Sequence, residues 1–596
     1  MQRTLLITVT AHLMFLAGCA RQQPQPATQA PAKFTVVEAS IGDMQKAMED
    51  GRVTSRQLVE QYLERIALYE EKLNATMTVN PNALADADRL DAERKQGKVR
   101  GPLHGIPVAL KDNIHTTDMP TTGGAIAFEG LIPPYEATLT KNLKEAGAVI
   151  LAKTVLTELA NFVAAGMPGN YSALGGYGMN PYDPRRDPRT SLPPPTPPGG
   201  RGGPSPAAAS APPTRPDDGR PALGTGGSSS GIGTAANFWA ANVGTETSGS
   251  VLSPSNSNML AAVKPTVGRI SRYGVIPITA DQDTAGPMAK YVADAAIMLG
   301  ALESAAPDPN DPATKTCQPP PNRDYRPHLK ADALKGARIG IPRAFYYDAM
   351  KAPGDTEPRG GLNDAQKKAM EDAVAVLKQQ GATVVDPADI PSVVDPDAQN
   401  NFLKWGSCSG PADVRGKDQK CSYALKYGMK RDFNSWLASL GGASPIKTLS
   451  DLRAFNLAHP QRNAIKYGQA NLDVSDEIDI ERDRARWEAD RKKDTYLAGT
   501  HGINEVMEKN KLDALLFPGA SGAGIAARPG YPTVIVPFAM VPNAPANAPF
   551  PDGFNAKPGP YGVSFTGAAC SEPRLIELAY AFEQATKKRV PPPSAP

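Results

Sequence analysis

Glycine and serine concentrate between residues 226 and 290 in an order that a linker does not need. GGSSSG (226–231), GTETSGS (244–250), KPTVGRISRYGVIP (264–277) and DQDTAGPM (281–288) follow one another along the chain. Alone, and beside a Pro/Gly-rich stretch, GGSSSG reads as a flexible linker. The next segment reverses that reading. Residues 234–243, TAANFWAANV, are apolar and helix-compatible, so the run leads into buried structure. A Lys-Pro-Thr turn at 264–266 and alternating, strand-like residues come after it. Upstream, LHGIPVALKDNI (103–114) sets Lys111 in an otherwise apolar stretch.

The rest of the chain alternates strand and helix signals. Thr54-x-x-Gln57 is a capping box, and Leu58, Tyr62, Ile66, Tyr69 and Leu73 follow at helical spacing, predicting an amphipathic helix that carries no chemistry. Residues 103–110 read as a strand entering a site, and 148–151 (AVIL) as a buried strand preceded by a helix over 139–145. Residues 337–341, 364–380 and 382–385 read as strand, helix and strand, the helix stopped by Gly381, which makes a βαβ unit. Two more buried strands are predicted over 512–517 and 533–536. Such alternation argues for an α/β fold around one large central sheet.

With 596 residues, 41% hydrophobic and 21% charged, the chain can bury a sizeable core, and a net charge of +3 calls for no nucleic acid or acidic partner. Residues 185–223 depart from this composition: they are rich in Pro, Gly, Ala and Arg with almost no aliphatic side chains, and are expected to be a disordered insertion.

The first residues, MQRTLLITVTAHLMFLAGCA, join a basic Arg3 to an apolar run too short to span a membrane comfortably. Leu16-Ala17-Gly18-Cys19 has the form of a bacterial lipobox, cut before Cys19 with lipid attached to its thiol; the plainer reading is a signal peptide that ends in Cys. The domain layout expected is therefore a lipoprotein signal peptide (1–18), a flexible tether (19–33), one large domain (34–590) and a Pro-rich tail (591–596). Export to the periplasmic side, anchored in the outer membrane, follows from Cys19 and from Ala20 after it. An oxidising compartment lets the other cysteines pair, and Cys408 and Cys421, which enclose a short loop, are the favoured disulfide. No CxxC or neighbouring His supports a metal site.

A serine hydroxyl is a weak nucleophile that needs a base within reach, and only six histidines are available in the whole chain. Ser250, isolated among glycines, is the candidate nucleophile, and the backbone N–H groups of Thr247, Ser248, Gly249 and Ser250 can turn inward to bind an oxyanion. Seen alone, SGS would be a tight turn before a strand. The elbow GxSxG is not matched at Ser250, which argues against an α/β-hydrolase. Lys111 could serve as base only if burial lowers its proton affinity; the plainer reading is an exposed lysine at a strand end.

Taken together, these motifs resemble the amidase signature family, nearest to its peptide-amidase-like branch. The resemblance covers about 36–302 apart from the insertion, and returns at 571–588 in a C-terminal helix. It implies a mixed, twisted sheet covered by helices on both faces. It also implies a Ser–Ser–Lys site in which Ser228 relays the proton between Lys111 and Ser250, with a cis peptide at Gly227–Ser228. The spacer from the serine run to Ser250 is about two residues shorter than the family pattern, so Ser229 or Ser230 could hold the relay position. The implied function is hydrolysis of a carboxamide, small or peptidic, to a carboxylic acid and ammonia or amine, without metal or organic cofactor. The alternative is an inactive ligand-binding lipoprotein of the same fold. The glutamine-handling component of a tRNA-dependent amidotransferase shares the motifs, but export separates this chain from tRNA.

Overall fold

One sheet of eleven strands runs through the molecule, and the runs read above at 103–110, 148–151, 337–341, 382–385, 512–517 and 533–536 supply six of them. The computed structural model describes residues 34–189, 219–410, 415–416, 418, 420–545 and 549–596. The expected signal peptide, Cys19 and the tether lie outside the described residues, as do positions 190–218 of the insertion. In chain order the strands are β1 (Thr76–Val79), β2 (Pro107–Lys111), β3 (Val149–Thr154), β4 (Ala241–Glu246), β5 (Ala261–Lys264) and β6 (Thr284–Ala289). Then come β7 (Arg338–Gly340), β8 (Thr383–Val385), β9 (Ala514–Pro518), β10 (Thr533–Val541) and β11 (Gly559–Thr566). Their spatial order is β1-β3-β2-β4-β6-β5-β10-β11-β9-β7-β8.

The sheet is mixed. β2 runs parallel to both β3 and β4, while β4 and β6 are antiparallel. Every residue of β2, β3, β4 and β9 is buried, which requires cover on both faces and explains why β2, β3 and β9 read as continuous rather than alternating apolar runs. The helix Ser55–Leu73 begins at the Thr54–Gln57 capping box and turns Leu58, Tyr62, Ile66 and Leu73 inward. The βαβ unit is β7, the helix Asp364–Gln379 and β8, with the two strands parallel. Residues Thr35–Pro596 form one compact unit. Among the described residues no helix is long and apolar enough to cross a membrane.

Four expectations change. The helix-compatible stretch 234–243 is helical only over Ile232–Ala235, and 241–246 is β4, in the middle of the sheet. Asn237 stops the helix at φ +57°, and Trp239 folds back on Gly233, where a Cβ would lie 2.1 Å from the indole. Pairing with β2 and β6 outweighs local propensity here. The alternating residues after Thr266 form no strand beyond an isolated pairing of Val275 with Ile114, because Gly268 and Gly274 take positive φ and turn the chain.

The segment set apart as a Pro-rich tail is joined to the domain. Arg65 donates to the carbonyls of Ala595 (2.8 Å) and Pro596 (3.0 Å), and Ser594 donates to that of Pro181 (2.6 Å). The ends of the insertion are also structured. Asp187 N–H donates to Arg220 O (2.8 Å) and Ala222 N–H to Arg185 O (2.9 Å), so the two ends lie side by side.

Two disulfides are present, Cys408–Cys421 as expected from the short loop and Cys317–Cys570, which joins residues 253 apart in sequence.

Candidate active site

The carboxyl ends of the parallel strands β2 and β4 lie side by side, the usual place for chemistry in an α/β sheet. Lys111 is the last residue of β2 and is fully buried. Its Nζ lies 2.9 Å from Ser228 Oγ, 2.7 Å from Thr245 Oγ1 and 3.3 Å from Thr245 O. Asn113 Nδ2 also donates to Thr245 Oγ1, at 3.0 Å. Burial pulls the Lys111 amine down to about 7, against the opposing pull of Asp283 and Glu246. The three contacts suit both protonation states: the ammonium donates to all three oxygens, and the neutral amine donates to the two of Thr245 while its lone pair can take the Ser228 hydroxyl hydrogen.

The serine run is held tightly against its neighbours. Thr157 N–H donates to Ser228 O (3.2 Å), and Ser229 N–H donates to Ser250 O (3.3 Å). The Ser229 hydroxyl is occupied by the backbone of Thr245, accepting from its N–H and donating to its carbonyl, each at 3.1 Å. Ser230 Oγ is buried without a partner among the described residues. Ser228 is therefore the member of the run that meets Lys111. The approach requires glycine: a Cβ on Gly227 would lie 3.0 Å from Ser250 Cα, and one on Gly226 would lie 2.4 Å from Pro254 Cα.

The Gly227–Ser228 peptide is trans, contrary to the expectation of a cis bond; the cis bond among the described residues is Asp386–Pro387. A cis non-proline bond costs about 3 kcal/mol, which favours the trans form.

Ser250 follows Gly249, whose φ of +92° makes the turn after β4. Among the described residues the Ser250 hydroxyl has no hydrogen-bonding partner, and no bond joins it to Ser228. The backbone N–H groups of Thr247, Ser248, Gly249 and Ser250 likewise donate to no acceptor among the described residues. Side chains pin the turn from both sides. Glu246 Oε2 accepts from the amides of Val251 (2.8 Å) and Leu252 (3.0 Å). Thr247 Oγ1 donates to Asp283 at 2.5 Å, and Gln282 Nε2 donates to Thr247 O at 3.2 Å. Asp283 is one of two acids in the DQDTAGPM motif, and the sequence assigned it no role. Thr245, Glu246 and Asn113 were also missed.

Cys408, Cys421 and Asp418 lie close enough together to suggest a metal site, but the two sulfurs are bonded to each other.

The model of the Amidase family matches residues 57–191 and 220–576, and its gap falls on the insertion. The chain belongs to the amidase family. It is 33% identical over 593 residues to the probable amidase At4g34880 of Arabidopsis thaliana, covering 99% of this chain and 97% of the relative. A putative amidase of Arthroderma benhamiae is 31% identical over 552 residues, which is 92% of this chain and 81% of that protein. Among solved structures, the native peptide amidase of Stenotrophomonas maltophilia superposes with a TM-score of 0.72 at 32% identity, over 93% of this chain and 98% of that one. Its mixed α/β architecture is that of the amidase family, and this chain is an amidase-family hydrolase of C–N amide bonds.

Proposed function

We propose that this amidase is an exported, lipid-anchored enzyme that hydrolyses carboxamides, peptide amides among them, through Ser250, Ser228 and Lys111. The observation that carries this reading is the buried lysine bonded to a serine hydroxyl and, among the described residues, to no carboxylate. Lys111 takes the Ser228 proton while Ser228 takes that of Ser250, and Ser250 Oγ bonds to the substrate carbonyl carbon. The amides of Thr247, Ser248, Gly249 and Ser250 stabilise the oxyanion. The proton then passes back through Ser228 to the leaving nitrogen, the C–N bond breaks, and water releases the acid from the acyl-enzyme by the same route. The Ser250–Ser228 contact is the one link the resting site lacks, and such bonds often tighten only when substrate is bound.

Two disulfides and the lipobox at Cys19 support export to an oxidising compartment. The same leader argues against a role on tRNA. An inactive ligand-binding lipoprotein is the competing reading, favoured by the unlinked Ser250. Fluorophosphonate treatment of the purified protein separates the two: irreversible loss of ammonia release from carboxamides, with the label on Ser250 by peptide mass spectrometry, is expected. Label on another serine, or no turnover on a broad panel of amides, overturns the proposal.

A further inference from the structure

Asp283 is buried and makes no ion pair among the described residues, yet its carboxylate is fully used. Oδ1 accepts from the Thr247 hydroxyl at 2.5 Å, and Oδ2 accepts from the amides of Ile278 (2.8 Å) and Thr279 (2.9 Å). One acid thus joins the turn that carries Ser250 to the loop 277–283. That loop is in turn seated on the helix Ala424–Ser439. Gly428 of the helix packs on Thr279 so closely that a Cβ would lie 2.1 Å from its Oγ1, and Asp432 accepts from Ala280 N–H at 2.7 Å. Ile278 shares one apolar cluster with Leu425, Met429 and Phe433.

We propose that Asp283 is a positioning residue that clamps the Thr247–Ser250 turn to the 277–283 loop, and so transmits the seating of the Ala424–Ser439 helix to the oxyanion-binding amides. This rests on the reading of Ser250 as nucleophile given above. An oxyanion hole works only when its donors are fixed before the charge develops, and a turn whose amides donate to no acceptor among the described residues needs an outside brace. Thr247 is the only residue of the turn whose side chain reaches that brace among the described contacts. Asp283 never touches substrate; it acts through Thr247.

The carboxylate has a second effect, through space. It favours the protonated form of Lys111, with Glu246 adding to it. Burial raises the Asp283 carboxyl itself to about 7, opposed by the Thr247 hydroxyl, the amides of Ile278 and Thr279, and Arg272. The charged groups facing this corner are Lys111 on β2, Glu246 on β4, Arg272 with its partner Asp311, Asp281 on the same loop, and Arg431 and Asp432 on the helix. Removing the negative charge disfavours the Lys111 ammonium, so Lys111 gives up its proton at lower pH.

The test uses the full-length protein with active Ser250 counted by fluorophosphonate end-point labelling. Asp283→Asn is expected to lower kcat on a simple carboxamide by about tenfold or more, less than the roughly 10²–10³ lost when an oxyanion donor is removed outright, with KM within about twofold. The rising limb of its pH–rate profile is expected to move to lower pH by up to about one unit. Thr247→Val should lose kcat similarly, Thr247→Ser should restore it, and the double variant should fall no further than the worse single one. Unchanged kcat per labelled site in Asp283→Asn, an unmoved limb, or losses that multiply in the double variant overturn the proposal. Should Asp283→Asn fail to fold, Thr247→Val against Thr247→Ser decides: equal kcat in the two refutes the clamp. Activity retained in Ser250→Ala would instead defeat the reading beneath it, whereas an inert Ser250→Ala beside a normal Asp283→Asn defeats only the clamp.

Discussion

Two buried lysines on neighbouring strands, Lys111 on β2 and Lys153 on β3, show how little burial alone says about function. Both side chains are fully shielded from solvent. Lys153 is paired in register with Leu110 and Lys111 with Thr154, so the two lysine side chains leave opposite faces of the sheet. Around Lys153 stand Thr121 Oγ1 at 2.8 Å, Pro120 O at 3.1 Å and the carboxylate of Asp112 at 3.3 Å. Around Lys111 the bonded partners are hydroxyl and carbonyl oxygens. Burial lowers both amines. The carboxylate beside Lys153 makes that site an ion pair, whereas Lys111 meets only hydroxyl and carbonyl oxygens among the described residues, as its proposed role as base requires. The difference is one carboxylate.

The largest expected effect comes from breaking each site with the same change. Lys111→Met should cut turnover by at least about 10³-fold while the protein remains folded, because base and nucleophile act as a unit. Lys153→Met leaves Asp112 buried and unpaired, which costs about 3–5 kcal/mol, so its midpoint of thermal unfolding should fall steeply. Turnover and thermal unfolding of both variants check this. A stable but inactive Lys153→Met, or an unfolded Lys111→Met, would dissolve the distinction.

The pH profile sharpens it. Activity should rise through about 7 as Lys111 becomes neutral, then level off. Because the folded-state value is depressed from 10.5 to about 7, the unfolded chain binds a proton that the folded one lacks between those values. The contribution of this site to stability therefore increases with pH across that window and is flat below it. A rise centred near 6.5, lost on treatment with diethyl pyrocarbonate, would point to a histidine base instead.

A smaller effect is expected at Gly428, which packs on Thr279 of the loop held by Asp283. Gly428→Ala should cost about 1–3 kcal/mol by overpacking and lower kcat more than it changes KM. Equal activity per folded molecule would show that the helix Ala424–Ser439 does not govern the turn. The smallest effect belongs to residues 190–218, most of which the matched family model skips. Replacing them with a short Gly/Ser linker between the paired ends 185–189 and 219–223 should change neither lysine site, leaving stability within about 0.5 kcal/mol and activity intact. Unfolding on deletion would show that the segment belongs to the core.

Much of the fold was legible because its signals are local. The capping box at Thr54 and Gln57, the βαβ unit closed by Gly381, and the apolar strands around Val149 and Leu515 each follow from a few consecutive residues. The errors fell where distant partners decide. The Ala241–Glu246 strand has helix-compatible residues, but β2 and β6 on either side impose extended backbone on it. The last six residues look like a loose tail until Arg65, more than five hundred positions earlier, binds their carbonyls.

The sequence by itself determined which groups this amidase brings to a site: a lysine in an apolar strand, a serine run after glycines, and a lone serine in a glycine turn. Residue type and local order suffice for that, since chemistry belongs to side chains and turn geometry to glycine. Only the tertiary structure decided that Ser228, and not Ser229 or Ser230, faces Lys111, and that Thr245 and Asp283 complete its surroundings. It also decided which of two equally buried lysines keeps a carboxylate. Those outcomes depend on strand register and on contacts across the sheet, where a one-residue shift moves a side chain to the opposite face.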